Sequence, residues 1–125
     1  MKTVYLAAPW AQRVEAEKVS KQIEKLGYKI NHKWWEKEAG DDEHLKLQEH
    51  AGNDLLAVLS CDVFVMLNLE KSEGKSVESG LALSRRQIGF KPRMIGVGKR
   101  GSNIFQWLSF WEWAPDTGAM LKLLA

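Results

Sequence analysis

The sequence predicts an α/β fold: one domain, residues 1–125, in which a parallel sheet of about five strands carries helices on both faces. Short apolar stretches alternate with longer segments whose apolar residues recur at helical spacing. This alternation is typical of strand–helix–strand units, which build parallel sheets. The length of 125 residues fits one domain and can bury a core without disulfides.

The first half of the chain predicts two strands and two helices. In order, these are a strand at 3–8 stopped by Pro9, a helix at 10–26 stopped by Gly27, a strand at 28–35, and a helix capped by Asp41 or Asp42 that runs to residue 59. The apolar residues expected on the inner sides of the two helices are Val14, Val19, Ile23 and Leu26, then Leu45, Leu55, Leu56 and Leu59.

The second half predicts three more strands. A buried strand at 63–67 is followed by a Ser/Gly loop, a helix at about 76–87 and a strand at 93–98. After a turn at 99–103, the aromatic stretch 105–113 is predicted to form a short helix and then a strand at 110–113. Asp116 caps a last helix that runs to residue 124.

Composition excludes several classes of protein. The single Cys61 cannot support a disulfide framework and suits a reducing compartment, so we predict a cytoplasmic protein. No apolar run approaches the ~20 residues that span a bilayer. The first residues lead directly into a predicted strand and lack the apolar h-region and cleavage site of a signal peptide, so we expect none. The formal charge of +2 is too small to indicate a nucleic-acid polymer as partner.

The histidines and tryptophans give weaker signals. The three histidines show no ligand spacing, so we predict neither a metal nor a cofactor. Most of the six tryptophans are expected to fill the core or a subunit interface, and one or two to form the wall of a pocket for a flat ring.

Three segments follow predicted strands and should meet at the carboxyl edge of the sheet, where α/β sheets bind ligands. They are 7–10, 69–78 and 97–103. The second contains Ser72, Gly74, Lys75 and Ser76 before a helix, so it offers amides, hydroxyls and a cation to an anion. The alternative interpretation of segment 69–78 is an ordinary polar loop that binds no anion. The Lys99-Arg100 pair is either a solvated turn or a further anion contact.

Two acids are candidate catalytic groups. Glu78 is placed in the first turn of the helix after the loop, where a carboxylate could serve as nucleophile or base, or could simply complement the helix dipole. Asp54, with Asn53, interrupts an apolar half-helix and faces either the crevice or solvent. Asp62, at the start of a strand, is predicted to hold a turn, and Cys61 to pack as a small buried side chain.

Taken together, these residues resemble the nucleoside 2-deoxyribosyltransferase family, including its nucleoside 5′-monophosphate N-glycosidase relatives. The resemblance covers the chain to about residue 100. Its motifs are Val4-Tyr5-Leu6-Ala7-Ala8-Pro9, Asn53-Asp54, Asp62-Val63-Phe64-Val65, Ser72-x-Gly74 and Glu78-x-Gly80. The spacing Asp54-x7-Asp62-x15-Glu78 is similar to that of the monophosphate-hydrolysing branch.

The resemblance implies a Rossmann-like (flavodoxin-like) fold and a homodimer or higher homo-oligomer. It implies that Glu78 attacks C1′ of the sugar, that Asp54 protonates the departing base or holds the sugar, and that Tyr5 orients the Glu78 carboxylate. Water would complete a hydrolase reaction, and a second base would complete a transferase reaction.

The implied substrate is a small-molecule nucleotide or nucleoside. Ser72 and Gly74 match positions that grip a 5′-phosphate, whereas Glu73 and Pro9 depart from the monophosphate pattern. The predicted substrate contacts are Ala8, Pro9, Trp10, Ser72, Gly74, Lys75, Ser76 and Gly80. The alternatives are a nucleotide-binding module without catalysis and an NAD-type glycohydrolase.

Overall fold

The computed structural model describes residues 1–36, 44–70 and 72–125, and these build a parallel sheet with helices packed against it. The predicted caps Asp41 and Asp42 and the side chain of Leu45 lie outside this description. The elements are β1 (Thr3–Ala7), α1 (Arg13–Lys25), β2 (Lys29–Ile30), α2 (His44–Ser60), β3 (Val63–Asn68), α3 (Glu73–Ile88), β4 (Arg93–Gly98), β5 (Trp111–Ala114) and α4 (Thr117–Leu124). Short 3-10 helices lie at Trp10–Gln12, Trp34–Glu36 and Ile104–Trp107.

The five strands pair in the order β2-β1-β3-β4-β5, and every pair is parallel. The chain moves outward from β1 to β2 and then crosses back to β3 on the other side of β1. This reversal between β1 and β3 creates a topological switch point, where such sheets bind ligands beyond the strand carboxyl ends. The order confirms the predicted Rossmann-like, flavodoxin-like fold.

The central strands form the core. β1, β3 and β4 are buried over nearly their whole lengths, as expected for strands covered on both faces. Tyr5 of β1 stacks on Phe64 of β3 with ring centroids 5.9 Å apart and planes 8° apart. The phenol of Tyr5 is thereby held rigidly at the β1/β3 switch point.

The first predicted helix is divided in two. A 3-10 turn at Trp10–Gln12 precedes α1, whose buried residues are Ala16, Val19, Ser20 and Ile23. Val14 is 75% exposed and Leu26 is 41% exposed, so their predicted places on the inner face were wrong. Gly27 ends the helix with φ +97°, as predicted, because glycine enters this backbone region without strain.

The predicted second strand was too long. Only Lys29–Ile30 pairs with β1, and the chain then turns into the 3-10 helix Trp34–Glu36. The cause is Trp34, whose indole Nε1 donates a 2.6 Å hydrogen bond to the Leu6 carbonyl and whose ring is buried. To bury this side chain, the backbone leaves the edge of the sheet after Ile30.

The inner face of α2 was also assigned wrongly. Leu55, Leu56 and Leu59 are exposed, whereas Ala57 and Val58 are buried. The small Ala57 lets the helix approach the sheet closely, and the leucines face outward or toward the crevice. Among described helices, none has the length and apolar character needed to cross a membrane.

The helix α3 begins at Glu73, three residues earlier than predicted. Ser72 is its N-cap, with the side-chain oxygen accepting a 3.3 Å hydrogen bond from the Lys75 amide. Gly74 and Ser76 therefore belong to the helix rather than to a loop. Glu78 lies in the second turn, not the first, so complementing the helix dipole does not account for its position.

The last elements agree with the sequence prediction. The strand β4 has the predicted bounds, and a short helix precedes β5 in the aromatic stretch. Asp116 caps α4 by accepting a 2.8 Å hydrogen bond from the Ala119 amide. Cys61 is fully buried, as predicted for a packed small side chain.

Asp62 holds the chain at the start of β3, which confirms its predicted structural role. Its carboxylate accepts hydrogen bonds from the Thr3 amide at 2.8 Å and from the Lys91 ammonium at 2.8 Å. The Lys91 contact and the Thr3 amide together lower the pKa of Asp62 from 3.8 to about 2.

Replacing Asp62 with asparagine should lower the free energy of unfolding at pH 7 by about 1 kcal/mol, because Lys91 is solvent-exposed and its attraction is screened. A carboxylate whose pKa is depressed by folding stabilises the folded state above its unfolded pKa. That contribution is lost as the pH falls through the folded value of about 2. Urea titrations at pH 7 and near pH 2 measure the difference, and an equal difference at both pH values would contradict this origin.

Candidate active site

A cavity of about 530 Å³ opens at the switch point, beyond the carboxyl end of β1 and beside α2 and α3. This volume lies within the usual range for small-molecule sites, ~300–1,000 Å³. Its described lining comprises Ala8, Trp10, Trp34, Ala51, Asp54, Leu55, Ser72, Gly74, Lys75, Val77, Glu78 and Leu81. Apolar walls with a few polar groups are what an organic ring needs for tight, oriented binding.

The polar centre of the cavity is the contact between Tyr5 and Glu78. Tyr5 has no exposed surface, and its hydroxyl donates a hydrogen bond to Oε2 of the half-buried Glu78. Burial, and then the charges of Glu78 and Asp54, raise the pKa of Tyr5 far above its ordinary value. The hydroxyl therefore remains protonated and fixes the Glu78 carboxylate in one orientation.

Asp54 reaches the same cavity from α2 and has a partner that the sequence did not reveal. Its Oδ1 lies 2.9 Å from Nε2 of His32, and each side chain is about a quarter exposed. His32 follows β2 in the chain, so only the parallel pairing of β1 and β2 brings it beside α2. A lone histidine without ligand spacing gave no signal in the sequence.

Two tryptophans form one wall of the cavity. The rings of Trp10 and Trp34 lie 6.2 Å apart at an angle of 45°, and Trp35 packs edge-on against Trp34 at 5.4 Å. Trp34 is anchored by its hydrogen bond to Leu6, whereas Trp10 is 44% exposed and carries the Arg13 guanidinium 4.9 Å from its ring centroid. A flat heterocycle fits against such a wall.

The first turn of α3 forms another part of the cavity wall. Ser72 and Gly74 face it, and the first-turn amides of a helix have no partners within the helix, so they suit an anion. The Lys75 ammonium is turned inward and donates to the Asn68 side chain at 2.8 Å and to the Glu70 carbonyl at 2.5 Å. Desolvation of this buried amine lowers its pKa.

The structure brings together most of the residues that the sequence singled out. Those that line the cavity are Ala8, Trp10, Asp54, Ser72, Gly74, Lys75 and Glu78, and the Tyr5 hydroxyl reaches it through Glu78. Three predicted substrate contacts, Pro9, Ser76 and Gly80, lie outside the described lining. Pro9 is buried at the start of the 3-10 helix, and the Ser76 hydroxyl donates to the Ser72 carbonyl.

The described part of the chain contains no group of three His, Cys, Asp or Glu side chains placed to hold a metal ion.

Comparison with known proteins shows a likeness in fold. No protein-family model and no curated protein sequence matches the chain. Among solved structures, the Clostridium botulinum CMP N-glycosidase BcmB superposes with a TM-score of 0.65 over 98% of both chains, at 17% sequence identity. A likeness at this identity establishes a shared fold.

Proposed function

We propose that this protein cleaves the N-glycosidic bond of a nucleotide or nucleoside, with Glu78 as the nucleophile. The observation that carries the proposal is the Tyr5–Glu78 hydrogen bond at the wall of a cavity that also contains Asp54. A phenol that remains protonated holds one carboxylate oxygen, which leaves the other oxygen to face the sugar. The fold shared with a CMP N-glycosidase supports a nucleotide as substrate.

The chemistry divides into two steps. In the first, a Glu78 oxygen bonds to C1′ of the sugar, the C1′–N bond breaks, and its electron pair stays with the base. Asp54 donates a proton to the departing base, because a neutral heterocycle is a poor leaving group without one. The resulting Asp54 carboxylate lies 2.9 Å from Nε2 of His32, so the imidazole can stabilise its negative charge until the second step.

In the second step, water attacks C1′ of the glycosyl ester. The C1′–O bond to Glu78 breaks, and the sugar leaves with a new hydroxyl while Asp54 accepts the proton from the water. Two displacements at one carbon give retention of configuration, as in retaining glycosidases. A second base could replace the water, so the same cavity is also compatible with transfer.

We place the base against the Trp10–Trp34 wall and the 5′ end of the sugar at the first turn of α3. In this orientation a 5′-phosphate meets the Ser72 hydroxyl and the amides of Glu73 and Gly74, at the positive end of the helix dipole. Lys75 contributes a buried positive charge behind this turn rather than a direct contact. Homo-oligomer formation stays a prediction.

We expect a panel of ribo- and 2′-deoxynucleosides and their 5′-monophosphates to yield free base with at least one nucleotide. The nucleotide should exceed its own nucleoside in kcat/KM by ~30- to 150-fold, the equivalent of the about 2–3 kcal/mol that charge-assisted hydrogen bonds supply. Chromatography of the products, with and without an acceptor base, measures release and distinguishes hydrolysis from transfer. A nucleoside equal to its nucleotide would place the chain with nucleoside-specific enzymes.

Ser72→Gly is the matched test of the phosphate contact. Glycine is tolerated as an N-cap at a cost of only a few tenths of a kcal/mol, so α3 should persist. The ratio of kcat/KM for nucleotide and nucleoside cancels any loss of folded protein, because both substrates use the same enzyme. A reduced ratio supports a contact between the Ser72 hydroxyl and the 5′-phosphate, and an unchanged ratio contradicts it.

A further inference from the structure

A second cavity, of about 560 Å³, lies on the other side of the first turn of α3. Its described lining includes Asn68 at the end of β3, the residues Ser72, Glu73 and Ser76 at the start of α3, and the loop after β4 at residues 99–103. It is as large as the candidate active site, and it is far larger than a phosphate group requires. The proposed reaction does not use it.

The loop that borders this cavity is held in place by side-chain hydrogen bonds. Asn68 donates to the Lys99 carbonyl and to the Gln106 side chain, and the Gly101 amide donates to Gln106 at 2.6 Å. Trp107 donates from its indole nitrogen to the Gly101 carbonyl at 3.1 Å. These bonds fix the shape of the cavity on the side of the loop.

The two cavities meet at Ser72 and Lys75, which line both of them. Gly74 and Glu78 face the first cavity, and Glu73 and Ser76, on the adjacent face of the helix, face the second. A ligand that passes over the Ser72 cap therefore reaches from one cavity into the other across the amino end of α3.

Resting on the proposed function, we propose that the preferred substrate is a dinucleotide, two nucleosides joined by a 5′–5′ diphosphate, with the scissile nucleoside in the first cavity and the second nucleoside in this one. The diphosphate crosses the Ser72 cap, and the distal base stacks on the Arg100 guanidinium. That guanidinium already lies over the Trp107 ring, 4.9 Å from its centroid, and 5.5 Å from the centroid of the Trp113 ring. Arginine planes supported in this way stack on nucleobases.

The charges of the second cavity fit a diphosphate. Its described lining contains three basic residues, Lys75, Lys99 and Arg100, and two acidic residues, Glu70 and Glu73. The Glu70 carboxylate accepts a hydrogen bond from Gln12 at 3.1 Å. Glu73 is exposed at the first turn of the helix and is screened by solvent. The excess of positive charge lies on the loop after β4, where the second phosphate arrives.

The test compares three substrates with one base: the nucleoside, its 5′-monophosphate and the matching dinucleoside 5′,5′-diphosphate. We expect the dinucleotide to exceed the monophosphate about tenfold in kcat/KM, the effect of one stacked base. Arg100→Ala should reduce kcat/KM for the dinucleotide to the value for the monophosphate, and should leave kcat/KM for the monophosphate within about twofold of the wild-type value. Arg86→Ala is the matched control, since Arg86 also lies 4.9 Å from a ring, that of Phe110, but on the last turn of α3.

The outcomes are distinguishable. A monophosphate equal to or better than the dinucleotide overturns the inference and leaves the proposed function intact, as does an Arg100→Ala variant that behaves like Arg86→Ala. If no substrate releases base, the proposed function fails. Calorimetric titration of the wild-type protein and of Arg100→Ala with the dinucleotide then tests the second cavity: weaker binding by the variant supports it, and equal binding or none overturns it.

Discussion

Glu78→Gln should reduce base release by a factor of ~10³ or more while the protein remains folded. Glutamine keeps the shape of the side chain and an oxygen that can accept the Tyr5 hydrogen bond. It cannot form a stable glycosyl ester, because the neutral amide oxygen is a far weaker nucleophile than a carboxylate. Initial rates of base release from the best substrate of the panel measure the loss.

Glu73→Gln is the control for this change. It removes the same charge from the same helix, five residues earlier, at an exposed position outside the first cavity. It should retain near wild-type turnover of the nucleoside, and circular dichroism should show both variants folded. Turnover of Glu78→Gln at about the wild-type rate would remove Glu78 as nucleophile. If the wild-type protein binds a nucleotide but releases no base from it, the protein is a binding module.

The sequence predicted the strands of this fold better than its helices. β3 and β4 are continuous apolar runs buried on both faces, so the local sequence was enough to predict where each strand lies. Of the apolar residues from which the inner faces of α1 and α2 were assigned, Val19 and Ile23 are buried as expected, whereas Val14, Leu55 and Leu56 are exposed. The small side chains Ala16, Ser20 and Ala57 are buried in their place. Close packing of helix on sheet selects small side chains, and apolar periodicity does not weigh size.

Much of the candidate site could be predicted because parallel strands bring the loops that follow them to one edge of the sheet, and because the sequence carries motifs that resemble those of a known family. Tyr5, Asp54 and Glu78 were all singled out, and they converge. The His32 contact with Asp54 and the inward turn of the Lys75 ammonium could not be predicted. Both depend on partners fixed by the packing of separate elements, and neither leaves a pattern in the local sequence.

Asp54→Asn should lower kcat by ~10²- to 10⁴-fold with little change in KM, because asparagine keeps the shape but cannot donate a proton to the leaving base. The same steady-state measurements on Asn53→Ala provide the control, since Asn53 is the exposed neighbour of Asp54 on α2. The test of the role is a substrate whose base leaves without protonation, such as 7-methylguanosine 5′-monophosphate, in which the base already carries a positive charge.

The two carboxylate variants should separate on this activated substrate. Asp54→Asn should recover most of its lost rate of base release in a single turnover, because the first step no longer needs the missing proton, whereas Glu78→Gln should stay inactive, since the attack on C1′ is still required. His32 should follow Asp54: His32→Ala should slow the ordinary substrate and spare the activated one, because the imidazole acts only through its contact with Asp54. An unchanged kcat with a raised KM in Asp54→Asn would instead assign Asp54 to binding of the sugar, and the proton would then have to come from another group.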